Sequence, residues 1–96
     1  MPPKYRQYLV LDEIVFSSSV EEAMGIHKAV QLVKPSDGPV EIRVCYYTRR
    51  RRNDGSEWWG LVPRPLHFQP EEAQQVADGI LVLAKKYQVI KKAASN

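Results

Sequence analysis

Residues 40–68 carry the feature that most restricts how this chain can fold, because two strand-like segments flank a tight-turn sequence there. The turn consists of Asn53, Asp54 and Gly55. Asn and Asp tolerate left-handed backbone angles, and Gly adopts them without steric cost, so the triplet favours a β-hairpin. The fold must therefore pair the segments before and after this turn as antiparallel strands.

The strand before the turn alternates between apolar and polar residues, which assigns its two faces. The residues expected to face the core are Val40, Ile42, Val44 and Tyr46. The residues expected on the open face include Arg43, Cys45, Tyr47 and Arg49. Trp58 and Trp59 are adjacent in the second strand, so they must point to opposite faces. We expect one tryptophan in the core and the other on the open surface, and the sequence leaves open which is which.

Three further elements are predicted outside the hairpin. Residues 8–16 form a strand that is apolar on both faces, and a capping box of Ser19 and Glu22 predicts a helix over residues 20–33. A second helix begins at Pro70, because proline is favoured at the first helical position. Its apolar seam comprises Ala73, Val76, Ile80, Leu83, Tyr87 and Ile90. The order β-α-β-β-α predicts a small α+β domain in which two helices pack on one face of an antiparallel sheet.

The length and composition bound the organisation of the chain. Its 96 residues are expected to form one domain, residues 1–96, with flexible ends at residues 1–7 and 93–96. The single cysteine excludes an internal disulfide and is typical of a reducing compartment. The sequence shows no membrane-spanning apolar run and no signal-peptide core, so we expect a cytoplasmic protein. A three-stranded sheet has exposed edges, and the apolar first strand and the long helical seam favour a homodimer.

The positive charge is concentrated in the hairpin, together with aromatic residues. Residues 40–68 hold six arginines against three carboxylates, and five of the nine aromatic residues of the chain. Guanidinium groups neutralise phosphates, and aromatic rings offer flat faces on which bases stack. The pattern therefore predicts sequence-tolerant binding of single-stranded DNA, with RNA as an alternative ligand. The candidate binding residues are Arg43, Tyr47, Arg49, Arg50, Arg51, Arg52, Trp58, Trp59 and Arg64.

Each of these residues also has a simpler interpretation. Charges at a hairpin tip often form only a solvated surface, and cross-strand aromatic pairs stabilise hairpins without any ligand. A functional alternative is a protein-interaction module, in which the arginines and tryptophans dock an acidic partner, since these residue types dominate interface hot spots.

His27 and His67 lie far apart in sequence without other ligands at metal-binding spacing, so no metal or cofactor is predicted. The sequence contains no nucleophile motif and no phosphate-binding glycine loop, so no enzymatic activity is predicted and no catalytic residue is assigned.

The hairpin and the helix after it resemble two known groups of proteins. The segment IRVCYYTRRRRNDGSEWWGLVPRPLHFQPEEAQQV is similar in layout to the eukaryotic positive cofactor four coactivator family, in which a basic, aromatic hairpin leads through a proline-bearing strand into a dimerising helix. That family has further strands where a helix is expected here. The small size and the inserted helix resemble the archaeal ThermoDBP-related single-stranded-DNA-binding proteins, by layout and composition over nearly the whole chain. Both resemblances imply sequence-tolerant single-strand binding through a basic, aromatic sheet surface.

Overall fold

The computed structural model describes residues 7–94 as a four-stranded antiparallel sheet with a long C-terminal helix. In chain order the elements are β1 (Tyr8–Val15), α1 (Ser19–Ala23), β2 (Ile26–Pro35), β3 (Glu41–Arg51), β4 (Glu57–Leu61), a 3-10 turn (Pro70–Glu72) and α2 (Ala73–Ala94). The spatial order is β1-β2-β3-β4, so each strand pairs with its neighbours in sequence. The predicted α+β class is confirmed. Of the ends expected to be flexible, residues 1–6 and 95–96 lie outside the described residues.

The β3–β4 hairpin forms where the sequence predicts it. Gly55 adopts a positive φ of 88° in the turn, and the Asp54 carboxylate accepts a hydrogen bond from the Ser56 amide at 2.9 Å. Trp58 and Trp59 point to opposite faces, as expected from their adjacent positions in β4. The expectation that one of them joins the core is wrong, because Trp58 is 38% exposed and Trp59 is 44% exposed.

The predicted helix over residues 20–33 is also wrong, because α1 ends at Ala23 and Ile26–Pro35 forms the central strand β2. The capping box lies one residue earlier than expected, with Ser18 as the N-cap and Glu21 as its partner. The physical reason is Gly25, whose φ of 82° is left-handed and ends the helix as glycines after a C-cap commonly do. The sheet consequently has four strands, one more than predicted.

The hydrophobic core lies between α2 and one face of the sheet, which we call the helix face. Its buried residues are Phe16, Val30, Leu32, Val76 and Leu83, and the half-buried residues Ile14, Val40, Ile42, Val44, Leu66, Ile80 and Tyr87 pack against them. The seam predicted for α2 therefore supplies the helical side of the core, except that Ala73 and Ile90 at its ends are exposed. α1 buries no residue, so α2 alone provides this side of the core.

Strand β1 is an outer strand of the sheet, and its register with β2 shifts between Val10 and Asp12. Its apolar residues are largely exposed, with Leu9 at 64% and Leu11 at 48%. The homodimer predicted from the sequence stays a prediction. No helix within residues 7–94 is both long enough and apolar enough to cross a membrane.

Candidate functional site

The face of the sheet opposite α2, which we call the open face, carries the side chains that alternate with the core residues. Strand pairing places Gln31 opposite Arg43, His27 opposite Tyr47, and Arg49 opposite Trp59. Tyr47 therefore lies on the open face, as its position in the alternation of β3 predicts. Tyr46, its neighbour in sequence, points to the helix face.

The four hairpin arginines divide between the two faces of the sheet, because successive residues of a strand point in opposite directions. On the open face, Arg49 Nε lies 3.6 Å from Glu57 Oε2, and Arg51 donates a hydrogen bond to Glu57 Oε1 at 3.1 Å. Arg49 also donates to the carbonyl oxygen of Ala23 at 3.1 Å. Two arginines thus share one exposed carboxylate and present a positive edge beside Trp59.

Arg50 and Arg52 lie on the helix face, on either side of Trp58. Their guanidinium carbons are 5.2 Å and 5.3 Å from a Trp58 ring centroid, which is within cation–π distance. The absence of a side chain at Gly60 leaves space for the Arg50 side chain, because a Cβ atom on Gly60 would lie 2.5 Å from Arg50 Nε. Trp58 therefore contacts two basic side chains and keeps 38% of its surface exposed.

Trp59 forms one side of a pocket on the open face, with a volume of about 410 Å³. The residues that line this open-face pocket are Val10, Glu13, Glu22, His27, Gln31, Tyr47 and Trp59. The His27 ring centroid is 5.9 Å from that of Trp59 and 6.0 Å from that of Tyr47. Three aromatic rings from β2, β3 and β4 thus meet beside the pocket.

His27 is held between two carboxylates at the pocket. Its Nδ1 donates to Glu22 Oε1 at 2.6 Å and its Nε2 donates to Glu13 Oε1 at 2.9 Å. Burial alone would lower the pKa of His27, but the hydrogen bonds to Glu13 and Glu22 outweigh it and raise the pKa above the ordinary value of 6.5. The raised pKa favours the imidazolium form, in which both ring nitrogens donate.

Gln31 and Arg43 complete the network on the open face. Gln31 Nε2 donates to Glu13 Oε1 at 3.0 Å and to the Tyr47 hydroxyl at 3.1 Å, and Gln31 Oε1 accepts from Arg43 Nε at 2.9 Å. Arg43 is half-buried, and its guanidinium carbon lies 4.7 Å from the ring centroid of Tyr8. The structure thus places Arg43 in a hydrogen-bond network rather than with the exposed arginines of the hairpin.

Arg64 lies in the exposed loop after β4, away from the open face. It lines a separate pocket together with Lys28 and Tyr46, whose side chains point to the helix face. His67 lines the same pocket, whereas Cys45 points to the open face. Burial raises the pKa of the Cys45 thiol above its ordinary value. The structure therefore brings neither Arg64 to Tyr47 nor His67 to Cys45.

Sequence reasoning missed the pocket residues of β1, α1 and β2, namely Glu13, Glu22, His27 and Gln31. These residues come together because β2 pairs with β1 and β3. The sequence predicted a helix over residues 20–33, and a helix cannot form this strand pairing. The signal in the sequence is the alternation of His27 and Gln31 with Lys28, Val30 and Leu32.

Comparisons with family models, with curated proteins and with solved structures find no match for this chain. Within residues 7–94 no group of three or more His, Cys, Asp or Glu side chains has an arrangement that could hold a metal ion.

Proposed function

We propose that the β3–β4 hairpin binds single-stranded nucleic acid, with DNA as the expected ligand, with little dependence on sequence and without catalysis. Phosphates contact the four hairpin arginines, and bases stack on the exposed tryptophans. Arg64 adds a further cation on the helix face. Tyr47 and Arg43 belong to the hydrogen-bond network of the open face, where Tyr47 helps to shape the pocket next to Trp59.

The observation that carries this proposal is that each face of the hairpin presents an exposed tryptophan next to arginines. Arg49 is the cross-strand neighbour of Trp59, and Arg50 is the cross-strand neighbour of Trp58. An exposed indole ring gains from stacking on a base, at about 1–3 kcal/mol per stacked base. An adjacent guanidinium group lies close enough to bind a phosphate of the same nucleotide.

The charge around the tryptophans also supports a polyanionic ligand. Residues 49–59 hold four arginines against two carboxylates, Asp54 and Glu57. Asp54 is engaged by Ser56 in the turn, where the hydrogen bonds from the Ser56 hydroxyl and amide lower the pKa of Asp54. A bound strand would replace Glu57 as the partner of Arg49 and Arg51 and would release counterions.

The family resemblance stays a prediction. The helix that distinguishes this chain from the positive cofactor four family is limited to Ser19–Ala23, because residues 26–35 form β2. The inserted long helix that motivated the resemblance to the ThermoDBP-related proteins is absent, since α1 spans only Ser19–Ala23.

A titration of the intrinsic tryptophan fluorescence with a mixed-sequence single-stranded oligonucleotide tests this proposal. We expect strong quenching that weakens between about 50 and about 200 mM salt, because phosphate contacts release counterions. Trp59→Leu and Trp58→Leu should each weaken binding by about tenfold if each ring stacks on one base. A duplex of the same sequence should quench weakly.

Matched charge variants separate local contacts from net charge. Arg49→Ser with Arg51→Ser, and Arg50→Ser with Arg52→Ser, should each lower the affinity and the salt slope. Lys85→Ser with Lys91→Ser removes the same charge from exposed positions on α2 and should leave both nearly unchanged. Equal losses for all three pairs, or no binding at low salt, would contradict the proposal. The second outcome would favour the alternative, docking of an acidic protein.

A further inference from the structure

The open-face pocket is large enough for one base and lies beside the proposed stacking platform. Its volume of about 410 Å³ falls within the range typical of small-ligand sites, about 300–1,000 Å³. The exposed ring of Trp59 forms one side, and the half-buried rings of His27 and Tyr47 lie next to it. A base that stacks on Trp59 from this side would turn an edge into the pocket.

The donor groups of His27, Gln31 and Tyr47 in the pocket are already used. His27 donates from both ring nitrogens to Glu13 and Glu22. The Gln31 amide donates to Glu13 and to Tyr47, and the Tyr47 hydroxyl lies 3.3 Å from Gln31 Oε1, to which it donates. A ligand that enters the pocket therefore meets no free donor among these side chains.

The groups that accept hydrogen bonds are only partly used. Within the described residues, Glu13 and Glu22 make their hydrogen bonds through Oε1, to His27 and to Gln31 or Ser17. The second oxygen of each carboxylate can take a donor from a ligand. Both side chains are about one-third exposed, at 32% for Glu13 and 34% for Glu22, so a base edge can reach them.

We propose that this pocket takes one base of a bound strand and favours bases with an exocyclic amino group, namely cytosine, adenine and guanine, over thymine and uracil. This inference rests on the proposed function, because the strand must bring the base to the pocket. An ionised carboxylate only accepts hydrogen bonds, so it attracts an amino group and repels the carbonyl oxygen that uracil and thymine carry in its place. Binding through the hairpin stays tolerant of sequence elsewhere, with one position that discriminates.

The charges around the pocket support this orientation of the strand. Glu13 and Glu22 repel phosphates, whereas Arg49 and Arg51 at the hairpin attract them. The backbone of the strand is therefore expected to follow the hairpin arginines, with the base edge turned toward the carboxylates. Arg43 contacts Gln31 and the Tyr47 hydroxyl at 3.2 Å, so it fixes these pocket residues rather than facing the base.

Oligo-dC and oligo-dU test the inference, because cytosine and uracil have the same size and differ at the amino group. The affinity of each strand, roughly ten nucleotides long, is measured by fluorescence anisotropy of an end label. The pH is about 6.5, where cytosine is neutral and the raised pKa of His27 favours the protonated ring. Wild-type protein should bind oligo-dC about tenfold more tightly than oligo-dU, as expected for one hydrogen bond to a charged acceptor.

Substitutions at the two carboxylates should change this ratio rather than overall binding. Glu13→Gln and Glu22→Gln introduce an amide that can donate to a carbonyl oxygen, so one or both should bring the ratio close to one. Trp58→Leu serves as the control, since Trp58 lies on the helix face and does not line the pocket. This variant should weaken the binding of both strands and leave the preference for oligo-dC. Far-ultraviolet circular dichroism checks that each variant is folded.

The outcomes distinguish this inference from the proposed function. Binding of both strands with equal affinity by wild-type protein would overturn the base preference and leave single-strand binding intact. An unchanged ratio in both glutamine variants would also overturn it. Failure of both strands to bind at low salt would overturn the proposed function itself, and the inference with it.

Discussion

At the scale of single residues, Lys28 is a buried charge that joins β2 to α1 and to the 3-10 turn. It is 5% exposed, and its Nζ lies 2.8 Å from Glu21 Oε2 and 2.5 Å from Glu72 Oε2. Burial alone would lower the pKa of Lys28, but the hydrogen bonds to both carboxylates outweigh it and raise the pKa. The same contacts lower the pKa values of Glu21 and Glu72. One buried ammonium thus forms ion pairs with two carboxylates, one from α1 and one from the 3-10 turn.

Lys28→Met should lower the free energy of unfolding by about 2–3 kcal/mol, because it leaves two carboxylates close together without their shared cation. Urea denaturation at neutral pH measures this change. Lys85→Met on the exposed surface of α2 is the control and should change stability by less than about 0.5 kcal/mol. Equal stability of both variants would show that the ion pairs of Lys28 contribute nothing net.

At the scale of elements, the junction of α1 and β2 decides whether residues 26–35 continue a helix or enter the sheet. The Gly25 amide donates to the Glu22 carbonyl at 3.0 Å, and the Gly25 carbonyl accepts from the Arg49 amide at 2.9 Å. Its φ of 82° is reached readily only by glycine. A single residue therefore ends α1 and begins the pairing with β3.

Gly25→Ala should destabilise the fold by more than Gly55→Ala does. Both residues have a positive φ, so both substitutions introduce strain of about 1 kcal/mol or more. A Cβ at Gly25 would also lie 3.1 Å from Arg49 Cβ, whereas a Cβ at Gly55 would have nothing within 4 Å. Urea denaturation of the two variants measures the difference. Equal losses would mean that the contact with Arg49 relaxes freely.

At the scale of the whole molecule, polar contacts hold the outer strand β1 in addition to its pairing with β2 and the packing of Ile14 on the core. His27 links β2 to Glu13 of β1 and to Glu22 of α1. Lys86 of α2 donates to Asp12 of β1 at 2.5 Å, and this hydrogen bond lowers the pKa of Asp12. Strand β1, which is otherwise exposed, is therefore held to both faces of the molecule by charged groups.

Stability should fall as the pH rises above about 6.5, because the folded state raises the pKa of His27 above that ordinary value. The imidazolium contacts with Glu13 and Glu22 are fully present below the ordinary pKa of 6.5 and are lost as the pH passes the raised value. Urea denaturation at several pH values measures this slope. His27→Gln should flatten it, and His67→Gln in the exposed loop should not. A wild-type slope in His27→Gln would assign the dependence to other groups.

The sequence alone determined the features that depend on local chemistry. The turn at Asn53, Asp54 and Gly55 needs residues that adopt left-handed angles, and alternation assigns the faces of β3 without knowledge of its neighbours. The α2 helix follows from Pro70 and a seam with helical spacing. The candidate residues of the hairpin were likewise chosen from composition and alternation, and the pairing of β3 with β4 places Arg49 opposite Trp59 and Arg50 opposite Trp58.

Only the tertiary structure decided what depends on contacts between distant segments. The spacing of Ala23, Ile26, Val30 and Val33 suits a helical stripe, but Gly25 and pairing on both sides of β2 make the segment after it a central strand. Trp58 stays exposed because α2 packs on β2 and β3 rather than on β4, and Trp59 stays exposed because it lies on the open face, opposite α2. The pocket around His27 forms only when residues of β1, α1, β2, β3 and β4 come together in the folded chain. Such long-range pairing is not encoded in any local pattern.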